Sequence, residues 1–127
     1  MEINKVTEAV IGASIEVHKA LGPGLLESAY EECLCYELGL KRLEFHRQIK
    51  LPLAYKGLQL DCGYRIDLFV EEQVIVELKS IEKLSSIHEA QLLTYMKLTN
   101  SSVGLLINFN VPVLKNGIRR KVLNHVD

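Results

Sequence analysis

Tyr64-Arg65-Ile66-Asp67-Leu68-Phe69-Val70, followed three residues later by Val74-Ile75-Val76-Glu77-Leu78-Lys79, is the stretch whose reading decides the fold. Both pieces alternate apolar and polar side chains with period two, the mark of a β-strand. On the first strand Ile66, Leu68 and Val70 share one face, opposite Arg65, Asp67 and Phe69. On the second, Val74, Val76 and Leu78 lie opposite Ile75, Glu77 and Lys79. A one-residue slip in pairing flips every side chain. A two-residue turn would set Asp67 against Val76 and mix the faces. A three-residue turn, Glu71 to Gln73, pairs Asp67 with Glu77 and Ile66 with Leu78, so an odd-length turn is expected. Like charges directly opposite each other are destabilising. A bound cation, a raised carboxyl pKa or the neighbouring Lys79 could compensate.

The chain has 127 residues, 48% of them apolar and 24% charged, which suits one soluble globular domain spanning 1–127. The apolar runs are too short to span a bilayer. Glu2, Lys5 and Glu8 interrupt any leader-like segment, so the expected location is the cytoplasm, with no membrane partner. Three cysteines, Cys33, Cys35 and Cys62, lack framework spacing and read as free thiols. The net charge of −1 provides no global basic field. Lys115, Arg119, Arg120 and Lys121 form either a basic patch or the solubilising charges of an edge strand.

Ile3, Val6, Val10, Ala13 and Val17 recur at helical spacing and predict a helix from near Asn4 to Ala20. After the Gly22-Pro23-Gly24 break, a second helix is expected over Leu25–Leu38, with Leu26, Tyr30, Leu34 and Leu38 as its stripe and Gly39 as its cap. Gln48–Tyr55 reads as an edge or irregular strand because of Pro52. Leu58–Val70 reads as a long strand bent near Gly63, and Val74–Lys79 as the next. Ser86-Ile87-His88-Glu89 has the form of a capping box opening a third helix that ends near Leu98. Val103–Phe109 reads as a buried strand, and Asn116-Gly117 as a hairpin signal before a last strand, Ile118–Leu123. The order α-α-β-β-β-α-β-β implies an α/β or α+β fold, a mixed sheet flanked by helices.

Asp67 followed by Glu77-Leu78-Lys79 resembles the signature of the PD-(D/E)XK nuclease superfamily, whose restriction-endonuclease-like core has the order α-β-β-β-α-β. Gly24-Leu25-Leu26-Glu27-Ser28-Ala29-Tyr30 is similar to the motif that names the GxxExxY protein family. Gln91-Leu92-Leu93-Thr94-Tyr95 resembles the Gln-x-x-x-Tyr element of the RecB-like branch, and Gly22 with Glu27 resembles its Gly-x-x-x-x-Glu element. The resemblance runs from Gly12 to Ile118. It implies a metal-dependent nuclease hydrolysing phosphodiester bonds, with DNA as the expected substrate and Mg²⁺, or Mn²⁺, as cofactor. Asp67, Glu77 and Lys79 would be catalytic. Asp67, Glu77, Glu27 and the Leu78 carbonyl would hold the metal. Gln91, Tyr95 and His18 would support the site or bind substrate. Dimerisation is common in that superfamily, so a homodimer is a further expectation.

Each of these residues has a plainer account. Asp67, Glu77 and Lys79 could form a cross-strand ion pair. Glu27 would suit the positive end of a helix dipole, and Glu31, one turn on, would be solvated. Gln91 and Tyr95 could be a surface glutamine and a half-buried tyrosine, His18 a histidine packed between helices, and His88 a surface residue. The functional alternatives are a catalytically silent nucleic-acid-binding or protein-interaction module on the same fold, and a small structural or dimerisation module.

Overall fold

The computed structural model describes residues 1–124. The element order is α1 (Ile3–Leu21), α2 (Glu27–Leu40), β1 (Phe45–Lys50), β2 (Leu53–Tyr55), β3 (Leu58–Leu60), β4 (Arg65–Val70), β5 (Val74–Lys79), α3 (Ser86–Thr99), β6 (Val103–Asn108), a 3₁₀ turn (Leu114–Gly117) and β7 (Ile118–Val122). Five strands form one mixed sheet in the order β1-β4-β5-β6-β7, and β2 with β3 forms a separate hairpin. β5 and β6 run parallel, joined by α3, and the other neighbours are antiparallel. Among the described residues no helix is long and apolar enough to cross a membrane.

The sheet is buried on both sides, which explains why β5 and β6 read as near-continuous apolar runs. On one face, Val6, Val10 and Val17 of α1 and Tyr30, Leu34 and Leu38 of α2 pack on Leu68, Val76, Leu78, Leu105 and Ile107. On the other, Leu92, Tyr95 and Met96 of α3 pack on Ile66, Ile75 and Leu106. Gly104 lets α3 sit this close: a Cβ there would lie 2.8 Å from Met96 Sδ and 2.9 Å from Leu92 Cδ1.

The odd turn is present. The register Leu68↔Val76, Phe69↔Ile75, Val70↔Val74 leaves Glu71–Gln73 between the strands. Glu71 and Glu72 take φ of 54° and 52°, and Gln73 N–H closes on the Val70 carbonyl at 3.0 Å. Glu71 holds this strained turn in place through the backbone of Glu44, accepting from its N–H at 2.6 Å and donating to its carbonyl at 2.8 Å.

The expected facing of β4 holds only in part. Leu68 and Val70 lie against α1 and α2, whereas Ile66 packs under α3. The β1–β4 ladder pairs Arg47 with Leu68 and Ile49 with Ile66, skipping Gln48 and Asp67, so no residue is inserted. Instead Gln48 adopts φ of 49° and turns the chain over.

Other boundaries shift for local reasons. α2 starts two residues late and runs through Gly39 to Leu40, with Lys41 as its cap, and Leu26 is 77% exposed rather than part of the stripe. The strand expected at Gln48–Tyr55 divides at Leu51-Pro52 into β1 and β2, because Pro52 has no N–H to continue a ladder. The long strand expected at Leu58–Val70 divides at 61–64, where Gly63 takes φ of 78°. α3 is capped one residue earlier than expected, by Ser85, whose N–H donates to His88 Nδ1 at 3.0 Å. Asn116-Gly117 closes a 3₁₀ turn rather than a two-residue hairpin, since Ile107 already pairs with Ile118.

Gly104→Val should push α3 off the sheet and cost about 1–3 kcal/mol. The change should appear as a lower urea midpoint with an unaltered slope. An unchanged midpoint would show that Met96 and Leu92 yield freely.

Candidate functional site

The site forms where β4 and β5 stop sharing a backbone ladder. Past Leu68↔Val76, side chains take over the hydrogen bonding. Asp67 N–H donates to Glu77 Oε2 at 2.9 Å, and Leu78 N–H donates to Asp67 Oδ2 at 2.8 Å. Each carboxylate thus satisfies a backbone donor on the opposite strand. Asp67 and Glu77 meet as the register requires, interlocked rather than merely opposed. Glu77 is 5% exposed, and burial together with the Asp67 charge pushes its carboxyl up to about 9, with Lys79 pulling weakly the other way.

Asp67 is held from a second side. Gln48 Nε2 donates to Asp67 Oδ1 at 3.2 Å and to Glu31 Oε1 at 2.6 Å. Arg47 donates to Glu31 Oε2 at 2.8 Å and to Glu32 Oε1 at 2.7 Å. The hydrogen bonds to Glu32 and Glu31 raise the Arg47 pKa further. A left-handed conformation at a non-glycine residue costs on the order of 1–3 kcal/mol and persists only where its surroundings impose it. Here it turns two adjacent side chains, Arg47 and Gln48, toward the same glutamate. Sequence reasoning missed both of them and read Glu31 as solvated, yet Glu31 is 9% exposed. The uninterrupted polar run His46-Arg47-Gln48, which breaks the strand alternation, was the available signal.

The start of α2 is pinned beside this pair. Tyr30 is fully buried and stacks on Phe109, ring centroids 4.4 Å apart. Its hydroxyl donates to the Gly22 carbonyl at 2.6 Å and accepts from Leu25 N–H at 3.2 Å. The loop between them needs Gly24 at φ of 98°. Ser80, next after Lys79, donates from its hydroxyl to the Leu25 carbonyl and from its N–H to Glu27 Oε2 at 3.4 Å. Glu27, Glu31, Asp67 and Leu78 line one cleft, on the α2 side.

Lys79, Gln91, Tyr95 and His88 line a second cavity, on the α3 side, with Tyr64. Tyr95 is 4% exposed, and burial, then the Glu77 and Asp67 charges, raise its pKa. The spacing of Gln91 and Tyr95 does bring both to one place, beside the lysine. His18 goes elsewhere: its Nε2 lies 2.8 Å from the Val111 carbonyl, and its ring lies against Phe109. It packs between α1 and the segment after β6, the plainer of its two expected roles.

The match to known proteins agrees with this geometry. The profile of the PD-(D/E)XK nuclease superfamily matches residues 4–121. The chain belongs to that superfamily. Its five-stranded mixed sheet with helices on both faces is the restriction-endonuclease-like arrangement of such nucleases. No curated protein and no solved structure matches it.

Among the described residues no three His, Cys, Asp or Glu side chains are grouped closely enough to hold a metal ion together. Glu27, expected as a further acidic ligand directly or through water, lines the same cleft as Asp67. Its Oε2 is turned to the Ser80 amide, a contact that follows from Ser80 being anchored to Leu25. The two carboxylates that interlock are Asp67 and Glu77.

Burial of Glu77 has a consequence for stability. Its pKa in the fold, about 9, lies above the ordinary 4.5. The unfolded chain therefore releases this proton first, and stability falls as pH rises from about 4.5 toward 9. Glu77→Gln, which keeps the acceptor but carries no charge, should melt several degrees above the wild type at pH ~8 in EDTA, at roughly 4 °C per kcal/mol. The gap should close near pH ~5. An equal gap at both pH values would contradict the buried-acid assignment.

Proposed function

We propose that this chain is a metal-dependent nuclease that hydrolyses phosphodiester bonds, with DNA as substrate and Mg²⁺ or Mn²⁺ as cofactor. The carrying observation is the interlocked Asp67–Glu77 pair with Lys79 two residues on. The available donors are all oxygens: two carboxylates and the Leu78 carbonyl. Mg²⁺ is commonly held by one or two carboxylates, with water and substrate phosphate completing its octahedron. Two carboxylates therefore fit it, without a third. The crowding that makes Glu77 hard to ionise is what a divalent cation relieves. When bound, such an ion lowers the pKa of water and offsets charge on the phosphate.

The chain's own residues supply the remainder. The Asp67 and Leu78 amides fix one oxygen of each carboxylate, so the other oxygens present a defined edge. Gln48 steadies Asp67. Lys79, whose charge reaches Glu77, would stabilise charge developing on the phosphoryl oxygens. Gln91 both donates and accepts, which suits a water or a phosphate at the lysine's side. Glu27, beside Ser80, is placed to act through water. The Tyr30 lock on the Gly22–Leu25 loop, and the convergence of Gln91 and Tyr95 on Lys79, support assignment to the GxxExxY group and the RecB-like branch.

Lys79→Ala should lower Mg²⁺-dependent cleavage of DNA at least ~100-fold, the usual loss for one charge-stabilising donor, with an unchanged circular dichroism spectrum. Mn²⁺ should substitute and EDTA should abolish cutting. Equal cleavage by the wild type and Lys79→Ala would point to a contaminating nuclease and sink the assignment.

A further inference from the structure

The cavity on the α3 side holds more than the catalytic lysine needs. It encloses about 490 Å³, within the roughly 300–1,000 Å³ of ordinary small-molecule sites. Its wall along α3 runs from Ile87 to Leu98, a rise of about 16 Å. The opposite wall is Leu53 of β2 and Tyr64. Ile87 is 70% exposed, Leu98 49% and Tyr64 41%, so the apolar lining is open rather than packed. The Tyr64 ring is braced by Tyr95, the two lying nearly edge to face with centroids 6.4 Å apart.

The two clefts are lined differently. The α2-side cleft is lined by Glu27, Glu31, Glu32 and Asp67, with Arg47 already paired to two of them. Among the described residues no Asp or Glu lines the α3-side groove, which carries Lys79. A strand whose phosphate bridges Lys79 and a metal held by Asp67 and Glu77 would lay its adjoining nucleotide in this groove. On β7, Lys121 is already paired with Glu89, and Arg120 donates to Asn4. The net charge of −1 adds no global basic field to phosphate contacts. Something less dependent on charge can contribute.

Resting on the nuclease reading above, we propose that this groove seats an unpaired nucleobase of the strand whose phosphate lies at Lys79. The substrate is then single-stranded or frayed nucleic acid. A paired base presents only its edges in the grooves of a duplex, and its faces are covered by its neighbours. An unpaired base offers an apolar face that matches Tyr64, Ile87 and Leu98. Stacking on an aromatic ring is sequence-tolerant and contributes about 5- to 100-fold in affinity per base. Gln91, inside the groove, can bond to the edge of any base as donor or acceptor.

The test uses the whole chain and a short fluorescent strand, read by anisotropy with Ca²⁺ in place of Mg²⁺. The comparison probes are the same strand in a blunt duplex and an abasic strand with the same phosphates. DNA and RNA versions run side by side, and base-dependent binding of either supports the groove. The wild type should bind the base-bearing strand tightest. Tyr64→Ala should lose about 5- to 100-fold on it, Ile87→Ser should weaken it too, and both, at open positions and neutral, should leave the abasic strand unchanged. Melting curves check that both variants fold. Equal affinity for the abasic strand, a preference for duplex, or unaltered binding by both variants overturns the proposal. Cleavage in Mg²⁺ is scored in parallel. Duplex cutting at wild-type rates by both variants would remove the groove assignment and leave the nuclease reading standing. Base-dependent binding without cutting by any form would do the reverse.

Discussion

Two neighbouring strands stop bonding to each other through their backbones, and two carboxylates take over. On this exchange at Asp67 and Glu77 the rest of the structure depends. A backbone N–H in the middle of a sheet must find an acceptor. Here Asp67 N–H finds Glu77 and Leu78 N–H finds Asp67. The acids are thereby parts of the sheet, with little freedom to rotate away. The arrangement has an electrostatic cost, visible in the raised pKa of Glu77, and the fold tolerates it. Two acids that resist ionising together are a site prepared for a positive ligand.

The surrounding devices all serve that opening. Gln48 in its left-handed conformation turns β1 over and bridges Asp67 to Glu31, and Arg47 secures Glu31 in turn. Ser80 ties the end of β5 to the loop before α2. Gly104 brings α3 down onto the sheet, which sets Gln91 and Tyr95 beside Lys79. Glu27, Glu31 and Asp67 line the cleft toward α2, and Lys79 lines the cavity toward α3 with aromatic and open apolar side chains.

Much of this was legible in the chain. Strand periodicity gave the Asp67–Glu77 juxtaposition, because only an odd turn keeps both apolar faces intact, and the observed register agrees. Helical spacing placed Gln91 and Tyr95 on one face. The facing of Ile66 was not legible, since alternation assumes an unbroken ladder and the β1–β4 pairing skips Gln48 and Asp67, with Gln48 at a backbone angle that residue type does not announce. Arg47 and Gln48 were missed for the same reason: their partners on α2 are distant in sequence. Glu27 was legible as a member of the cleft, but not its contact with Ser80, which depends on where β5 ends in space. His18 was read with two alternatives, and packing chose the plainer one.

The stacking of Tyr30 on Phe109 joins residues 79 positions apart. Through Tyr30 the glycine loop is shaped, and through Phe109 the end of β6 is reached, where its N–H bonds the Lys79 carbonyl. The pocket therefore has no self-sufficient half. A nascent chain emerging from the ribosome carries every acid and the lysine well before Phe109 arrives, yet lacks the ring that seats them. Whatever chemistry the pocket performs therefore needs this distant ring as well as the acids.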